Sequence, residues 1–470
     1  MIEPDDPAAS LVGNSIVDRS RPTNIRWIVL GIVAFASASA YLTRHCIAAA
    51  NTTIQADLSF DDQQMGLIFS SFSLGYLFCQ IPGGWLGNRF GTRFAFAFIS
   101  IIWSLSNAWS GMAFVFGSMW ASRFSLGMFQ AGLTPLSAKI LKDWIPLQHR
   151  GISSASIGAC MSLGSAFTLW LTGWLLESNY GWRGIFSAYS LVGIVWAIGF
   201  YWFFRTYPEE HKRVNNAELD LIRETHYAPL PPAETTVDPP AGIPDRDVEP
   251  HPSASALTGL ELIVSMLCCR SLWGLCVQSF FRSAGYVFFV TWFFTFLERV
   301  YEINKAEAGF LNFLPLIAVV AGTTSGGVIV DLLLRKTGSK RISRSGTAFV
   351  ALMVCGLFTM TSAWTSSATE LAIVIAIGAM FSGIGSPAAW AATIDVGGQH
   401  TALFIGTMNM AGCVAGVILP IVLGNWFVQI EKTGGNWDMV IYLHAAFYFA
   451  AALAWLAINP NETPTEPKTA

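Results

Sequence analysis

Arginines inside long apolar stretches are the residues of this sequence whose type and position most clearly suggest chemistry. Arg44 lies within the apolar run 25–50, and no carboxylate lies within a helical turn of it. A cation at the centre of a membrane helix costs roughly 2.5–3.5 kcal/mol, so such a residue normally faces a water-filled cavity. A guanidinium donates two parallel hydrogen bonds to a carboxylate or a phosphate. We therefore predict that Arg44 binds an anion, the alternative being a structural arginine bonded to carbonyls at a helix end.

Two neighbours of Arg44 extend this candidate site. Tyr41 precedes Arg44 by three positions and lies on the same helical face, where it either donates its hydroxyl to a ligand or packs as an aromatic residue. His45 points about 100° away from Arg44 by helical spacing. We interpret His45 as a packing or cavity-edge residue, with a titrating group as the alternative.

A second arginine, Arg282, lies in a later apolar run. Two arginines facing one cavity would suit an anion, or a dianion, whereas an arginine at the membrane boundary would extend its side chain to water. Gln278 and Asn409 are candidate ligands for hydroxyl groups, or residues that form interhelical hydrogen bonds. Trp292 is predicted either to close the site from outside or to pack in the core.

The elements that must hold these residues are membrane helices. Of the 470 residues, 53% are hydrophobic and 12% are charged, whereas a soluble globular protein carries about 25% charged residues. Long apolar runs without alternation favour helices over closed barrels, since only these two structures satisfy the backbone in lipid. We predict an all-α protein of the lipid bilayer with twelve transmembrane helices. The predicted spans are 25–50, 64–86, 94–113, 117–139, 151–176, 183–205, 271–298, 307–333, 345–365, 369–393, 400–428 and 437–458.

A polar, proline-rich segment divides these spans into two groups of six. The predicted units are an N-terminal tail (1–24), a six-helix bundle (25–205), a linker (206–262), a second bundle (263–458) and a C-terminal tail (459–470). Residues 216–226 of the linker are predicted to form a short amphipathic helix. Basic residues cluster before the first span and after the second, fourth and eighth, which places both termini and the linker in the cytoplasm. In a bacterial cell this predicts a multi-pass protein of the plasma (inner) membrane.

The two predicted halves repeat one short motif. Gly84 precedes Asn88 by four positions, as Gly327 precedes Asp331, and basic residues follow in both halves. A parallel internal repeat is typical of transporters whose halves move about a central site.

The segment 83–93 resembles the signature loop of the major facilitator superfamily, although Asn88 replaces the usual Asp. Residues 70–76 and 80–84 resemble, more finely, the anion:cation symporter family. Shorter motifs that fit the same family are Tyr41–Arg44, Ser122–Phe124, Gly181–Arg183, Thr291–Trp292 and Leu419–Pro420. The resemblance implies two pseudo-symmetric six-helix bundles. It also implies a carrier of small organic anions, above all sugar acids of the hexuronate, aldonate or aldarate type, that works by alternating access.

The resemblance further implies a cytoplasmic latch that stabilises the outward-facing form. With Asn88 in place of an acid, we predict a weaker latch and an easier inward opening. The latch residues are Gly84, Asn88, Arg89, Gly91, Arg93, Asp331 and Arg335.

Residues of the fourth predicted span concern coupling. Arg123 and Gln130 are seven positions apart and lie nearly on one face, which the resemblance links to the first-helix site. Arg123 is then either a permanent gate charge or a third anion contact. Proton-coupled members of the family carry Asp at the position of Thr43 and Glu at that of Gln130, which puts proton symport by the usual route in doubt. Facilitated uniport, sodium coupling and exchange against a counter-anion remain open.

Other functions also remain open. Exchangers of organophosphate for phosphate resemble this chain in having one arginine in each half and the run Phe129–Gly132. A non-transporting membrane sensor would need an output partner, which the linker could dock. We predict no enzymatic activity, because no Walker A loop, nucleophile elbow or H-E-x-x-H helix occurs. The eight cysteines form no C-x-x-C pair and the basic residues lie in short loops, so we predict no cofactor, metal or nucleic-acid partner, and a monomer.

Overall fold

The computed structural model describes residues 21–146, 149–227 and 259–462, and its framework is helical. The first half contains α1 (Ile25–Ala49), α2 (Asn51–Leu58), α3 (Asp62–Phe90), α4 (Thr92–Gly111), α5 (Phe116–Gln130), α6 (Leu133–Trp144), α7 (Arg150–Glu177) and α8 (Trp182–Phe203). Helix α9 (Asn216–Tyr227) follows and corresponds to the amphipathic helix predicted over 216–226.

The second half begins with a short helix, Gly259–Cys268. Its helices are α10 (Gly259–Cys268), α11 (Arg270–Thr291), α12 (Phe293–Tyr301), α13 (Lys305–Thr337), α14 (Thr347–Thr361), α15 (Ala368–Gly397), α16 (Thr401–Thr433) and α17 (Asp438–Ala454). A π-helical turn over Arg341–Gly346 leads into α14.

The helices account for the predicted spans as follows. Within the described ranges, nine helices are long and apolar enough to cross a bilayer, and two bent pieces raise the number to eleven. One bent piece is α3, which contains Pro82, and the other is α11 with α12, which meet at 57°. The remaining predicted span, 117–139, is occupied by α5 and α6, separated at Ala131 and Gly132. Each of these two is shorter than the roughly 20 residues that cross a bilayer.

Local sequence explains where several long helices begin and end. Asp61 starts α3, because its side chain accepts a hydrogen bond from the Gln64 backbone N–H at 2.7 Å and the Gln64 side chain accepts from the Asp61 N–H at 3.1 Å. Helices α13 and α16 end at Gly338 and Gly434, whose φ angles of 63° and 66° favour glycine.

Helices α1–α8 pack into one bundle and α11–α17 into another, and the bundles meet along two helix pairs, α3 with α16 and α7 with α13. Glycines allow close approach at one end of both pairs. A Cβ added at Gly66 would lie 2.5 Å from the Pro420 carbonyl oxygen, and one at Gly309 would lie 2.8 Å from the Leu169 carbonyl oxygen. The two bundles therefore touch backbone to backbone at this end.

Toward the other end of the molecule, glycines of these helices have no close neighbours. A Cβ added at Gly158 on α7, Gly327 on α13 or Gly406 on α16 would meet no atom within 4 Å. We call this the open end; it carries the start of α1 and the end of α17. The opposite end, where α2 meets α12, is called the closed end.

A polar network joins the bundles at the closed end. Arg299 on α12 donates to both carboxylate oxygens of Asp62 on α3, at 2.7 and 2.9 Å. It also donates to Glu431 on α16 at 2.7 Å and to Gln55 on α2 at 2.9 Å. The Asp62 side chain is only 3% exposed, so its charge depends on Arg299 for compensation.

The segment after α8 packs on the first bundle at the open end. The Glu218 side chain of α9 is fully buried and accepts from the backbone N–H groups of Ile25 and Arg26 at 3.1 Å each. It also pairs with the Arg26 guanidinium at 3.0 Å. His211 packs edge-on against Trp144, and burial lowers the pKa of its imidazole. Of the predicted linker and tails, 1–20, 228–258 and 463–470 lie outside the described residues.

Candidate functional site

A cavity of about 210 Å³ lies between the two bundles. Side chains of α1, α3 and α5 line it from the first bundle, and side chains of α11, α15 and α16 line it from the second. Its volume is below the roughly 300–1,000 Å³ of pockets for drug-sized ligands. The cavity is therefore sized for a small molecule.

Arg44 lies in this cavity among three aromatic rings. Its guanidinium carbon is 4.4 Å from the ring centroid of Phe72, 5.1 Å from that of Tyr41 and 5.3 Å from that of Tyr76. Stacked rings stabilise a cation without using its N–H groups. No side chain in the described part of the chain pairs with Arg44 through an ion pair or a hydrogen bond. Its five N–H donors remain available to a ligand.

Arg282 lines the same cavity from the second bundle. Its Nε atom is buried and has no hydrogen-bond partner among residues 21–146, 149–227 and 259–462. Ser279, Ser283 and Tyr286 also line the cavity. Ser279 and Tyr286 lie about one helical turn before and after Arg282, and Ser283 is adjacent to it in the sequence. These side chains add three hydroxyl groups to the cavity lining.

The charge of the cavity is one-sided. Its lining contains the arginines Arg44, Arg123 and Arg282, and no Asp or Glu of the described ranges lines it. Because a buried charge is costly unless it is paired, the site favours an anion that enters from outside the protein.

Tyr41 and His45 both line the cavity beside Arg44. Their rings pack edge to face, with centroids 5.3 Å apart and planes at 87°. The Nδ1 atom of His45 is buried without a hydrogen-bond partner in the part of the chain that the structure describes. His45 thus both lines the cavity and packs against Tyr41.

A hydrogen-bonded group next to Arg44 joins α1 to α5 through Thr43, Arg123 and Gln130. Arg123 donates to the backbone carbonyl oxygens of Thr43 at 3.0 Å and Arg44 at 2.6 Å. Gln130 donates through Nε2 to the Thr43 hydroxyl and to the Ala40 carbonyl oxygen, both at 2.9 Å. The two neutral residues at the positions of the expected acids therefore contact each other, and Arg123 holds the backbone of α1.

Asn409 stands on α16 at the edge of the cavity. Its Nδ2 donates to Oε1 of Gln80 on α3 at 3.0 Å, across the two bundles. Gln80 in turn lies 3.4 Å from the Cys413 sulfur. Asn409 is thus both a cavity residue and part of a contact between the halves.

Two predicted site residues do not reach the cavity. Gln278 is fully buried and its Nε2 lies 3.7 Å from the Met408 sulfur, so it does not line the cavity although it is only about one helical turn before Arg282. Trp292 is also fully buried; it donates to the Pro420 carbonyl oxygen at 3.3 Å and packs edge-on against Phe69. Phe69 and Pro420 line the cavity, so Trp292 supports its wall toward the closed end.

The predicted latch residues lie at the open end, and in the described ranges none of them forms a hydrogen bond or ion pair across the halves. Asn88 accepts from Lys139 at 2.8 Å, and Arg93 donates to the Tyr201 carbonyl oxygen at 2.8 Å, both within the first bundle. Gly84 packs beside Pro135, and Gly91 has a positive φ of 79°. The remaining predicted members, Arg89, Asp331 and Arg335, are exposed.

At the open end of the second bundle, the ion pairs in the described ranges are made by Asp395 of α15, which contacts Lys340 at 3.0 Å and Arg344 at 3.2 Å. The acid predicted for the latch, Asp331 of α13, has no ion pair in these ranges.

Sequence reasoning missed several residues of the site. Phe72 and Tyr76 surround Arg44, but they lie on α3 and no local pattern links them to α1. Ser279, Ser283 and Tyr286 could have been found from their spacing around Arg282. The pairing of Asp62 with Arg299 joins residues far apart in the sequence, and no sequence signal predicts it.

Residues 33–420 match the sequence profile described as Major Facilitator Superfamily. The chain is 26% identical to a probable sulfoacetate transporter of Cupriavidus necator, over 94% of this chain and 96% of that protein. It is 26% identical to a probable galactarate/D-glucarate transporter of Bacillus subtilis, over 94% of both. It is 27% identical to a D-galactonate transporter of Escherichia coli, again over 94% of both.

The fold is similar to a solved structure of a bacterial homologue of the human lysosomal transporter Spinster, in an inward-facing and unoccupied conformation. The TM-score is 0.69 at 18% identity, covering 93% of this chain and 98% of that one.

Proposed function

The chain belongs to the Major Facilitator Superfamily, a family of membrane transporters and not of enzymes, and from this premise we propose that it carries a small organic anion, a sugar acid, across the membrane. One observation carries the proposal. Arg44 and Arg282, one from each bundle, line a single cavity that contains no carboxylate of the described ranges. Guanidinium groups in this setting bind carboxylates with two parallel hydrogen bonds.

The proposed substrate class has further support. Three similar proteins are named as carriers of sulfoacetate, galactarate or D-glucarate, and D-galactonate. All of these ligands are small organic anions, and two of the names concern sugar acids. The hydroxyl groups of Ser279, Ser283 and Tyr286 beside Arg282 are suitable partners for the hydroxyl groups of a sugar acid.

Alternating access supplies the transport cycle of the proposal. Backbone contacts and the Arg299 network join the bundles at the closed end, whereas Gly158, Gly327 and Gly406 of the same helices have no close neighbour at the open end. We place the open end in the cytoplasm and the protein in the plasma membrane, with both termini inside, because basic loops flank that end. Closing the open end and releasing the closed end would present Arg44 and Arg282 to the opposite side.

Coupling to protons by the route of the symporter family is not part of the proposal. The positions where proton-coupled relatives carry acids hold Thr43 and Gln130, which hydrogen-bond to each other at 2.9 Å. Neither side chain titrates in the physiological range. Uniport, sodium coupling and exchange of anions are all compatible with this pair.

The test is uptake of radiolabelled sugar acids and organophosphates into proteoliposomes, with wild type and Arg44→Ala, and with or without an imposed pH gradient. We expect saturable sugar-acid uptake that requires Arg44 and does not respond to the gradient. Arg270→Ala is the matched control, because Arg270 is exposed at the start of α11.

Three outcomes would change the proposal. Competition by inorganic phosphate in exchange, with organophosphate as substrate, would favour an organophosphate/phosphate exchanger, which also suits one arginine in each half. Uptake driven by an inward proton gradient would assign coupling to another group, such as His45. The absence of saturable uptake of any anion would favour a sensor that kept the carrier fold.

A further inference from the structure

The arginines of the cavity also indicate how many acid groups the ligand carries. Resting on the proposed function, we propose that the substrate is a small dianion whose two acid groups bind Arg44 and Arg282, one in each bundle. A molecule with a single acid group would then be a poor substrate of the same site.

The hydrogen bonds of the three cavity arginines support a charge of two on the ligand. Arg123 already donates to the carbonyl oxygens of Thr43 and Arg44. Arg44 and Arg282 have no such carbonyl partners in the described ranges, whereas the Nε atoms of Arg123 and Arg282 are both buried without a partner there. Two guanidinium groups therefore remain to be paired, and no acid of the cavity lining is available to pair them.

The surroundings of Arg44 and Arg282 differ in a way that suits two acid groups joined by a polyhydroxylated chain. Aromatic rings cover Arg44, so its N–H edge is the part left for a ligand. Arg282 lines the cavity together with Ser279, about one helical turn before it, and the adjacent Ser283. A ligand with an acid group at each end would place its hydroxyl groups near these serines, and the volume of about 210 Å³ limits it to a small molecule.

The number of charges matters most when the cavity closes. Closure removes water, and a guanidinium that loses its water without gaining a partner carries a large desolvation cost. A dianion compensates both arginines, whereas a monoanion leaves one uncompensated. The monoanion is therefore expected to bind the open cavity yet to be carried slowly, which lowers kcat more than it raises KM.

The experiment compares matched pairs of compounds that differ by one acid group, at pH 7.5, where carboxyl groups are ionised. The pairs are galactarate with galactonate, tartrate with threonate, and sulfoacetate with acetate. The kcat/KM values are compared for the pair of compounds that shows the fastest uptake into proteoliposomes. We expect wild type to carry the dianion with a kcat/KM at least about tenfold higher than that of its monoanionic partner. In Arg282→Gln this ratio should fall to about one, because the second acid group loses its partner.

Arg270→Gln on the same helix is the control, and it should keep the wild-type ratio. If Arg282→Gln is not recovered as a monodisperse protein, the wild-type ratio decides the proposal by itself. Equal kcat/KM values for the two members of the pair in wild type would overturn it, as would an unchanged ratio in folded Arg282→Gln.

The two proposals fail in different ways. Fast, Arg44-dependent uptake of the monoanion would support the carrier function and contradict the proposal that the substrate is a dianion. Absence of saturable uptake for every compound would remove the carrier function itself, and the dianion with it.

Discussion

Arg299 at the closed end and Arg44 in the cavity are the same type of residue in opposite settings. Arg299 is bound by Asp62 and Glu431 from both bundles, with N–O distances of 2.7–2.9 Å. Arg44 is covered by aromatic rings and has no acid partner in the described ranges. On the proposed function, the difference teaches that the protein supplies its own anions where the halves are held together, and leaves the anion to a ligand in the cavity.

Arg123 lies between these two extremes. Its donors satisfy backbone carbonyl oxygens of α1, at 2.6 and 3.0 Å, and it meets no carboxylate in the described ranges. It therefore fixes the helix that presents Arg44, as a positioning residue. The partners of their N–H groups, and not burial alone, distinguish Arg299 and Arg123 from Arg44, the arginine that we propose binds a substrate.

The largest expected effect comes from keeping the charge of Arg44 and changing its shape. Arg44→Lys retains one positive charge but loses the planar fork that donates two parallel hydrogen bonds and stacks on rings. We expect sugar-acid uptake to fall by about 100-fold, on the scale of one or two charge-assisted hydrogen bonds. Uptake in proteoliposomes measures this. A wild-type rate in Arg44→Lys would mean that Arg44 acts only as a point charge.

Breaking the pair at the closed end comes next. Arg299→Gln leaves the 3%-exposed carboxylate of Asp62 without its cation. Because Arg299 itself is 22% exposed, we expect a shift of about 2 kcal/mol, or roughly 30-fold, toward conformations that open this end.

Distances between spin labels at Ser178→Cys and Lys432→Cys, in a background without native cysteines, measure that population. Both positions are exposed and lie at the closed end on different bundles. Asp62→Asn added to Arg299→Gln should recover part of the shift, since no uncompensated charge remains. An unchanged distance distribution in Arg299→Gln would contradict the role of the network.

A smaller effect is expected when an acid is introduced near Arg123, as acids lie near Arg299 at the closed end. Gln130→Glu places an acid beside Thr43, whose carbonyl oxygen binds Arg123. When ionised, this acid would draw Arg123 away from α1. We expect the uptake of the variant, relative to wild type, to fall by about fivefold between pH 5.5 and pH 7.5. Gln130→Leu, which cannot ionise, should show no such trend, and a flat ratio for Gln130→Glu would show that Arg123 keeps its carbonyl partners.

The smallest effect is expected at the predicted latch. Asn88 contacts Lys139 of its own bundle at 2.8 Å, so Asn88→Asp forms an exposed ion pair that needs no contact across the halves. We expect the closed-end spin-label distances to shift by about threefold or less in population, toward the outward-facing form. Identical populations in wild type and Asn88→Asp would remove the idea that Asn88 eases inward opening.

The sequence alone determined much of this protein. A composition with few charges and long apolar runs requires membrane helices, because lipid offers the backbone no hydrogen-bond partners. The helix over 216–226 follows from local sequence, whereas the spans predicted over 64–86 and 271–298 gave no indication of the bends near Pro82 and at Trp292. The candidate arginines Arg44 and Arg282 also stand out locally, because a cation in an apolar helix is costly wherever the helix packs.

The tertiary structure decided what those arginines face. Only the tertiary arrangement of α1 and α3 brings Phe72 and Tyr76 to Arg44. Only the packing around α11 puts Arg282 in the cavity lining while Gln278, about one turn earlier, packs against Met408. Asp62 and Arg299 are paired across the two bundles, 237 positions apart. Such contacts depend on the relative rotation and spacing of whole helices. These are set by packing over many residues at once, and no local pattern in the chain encodes them.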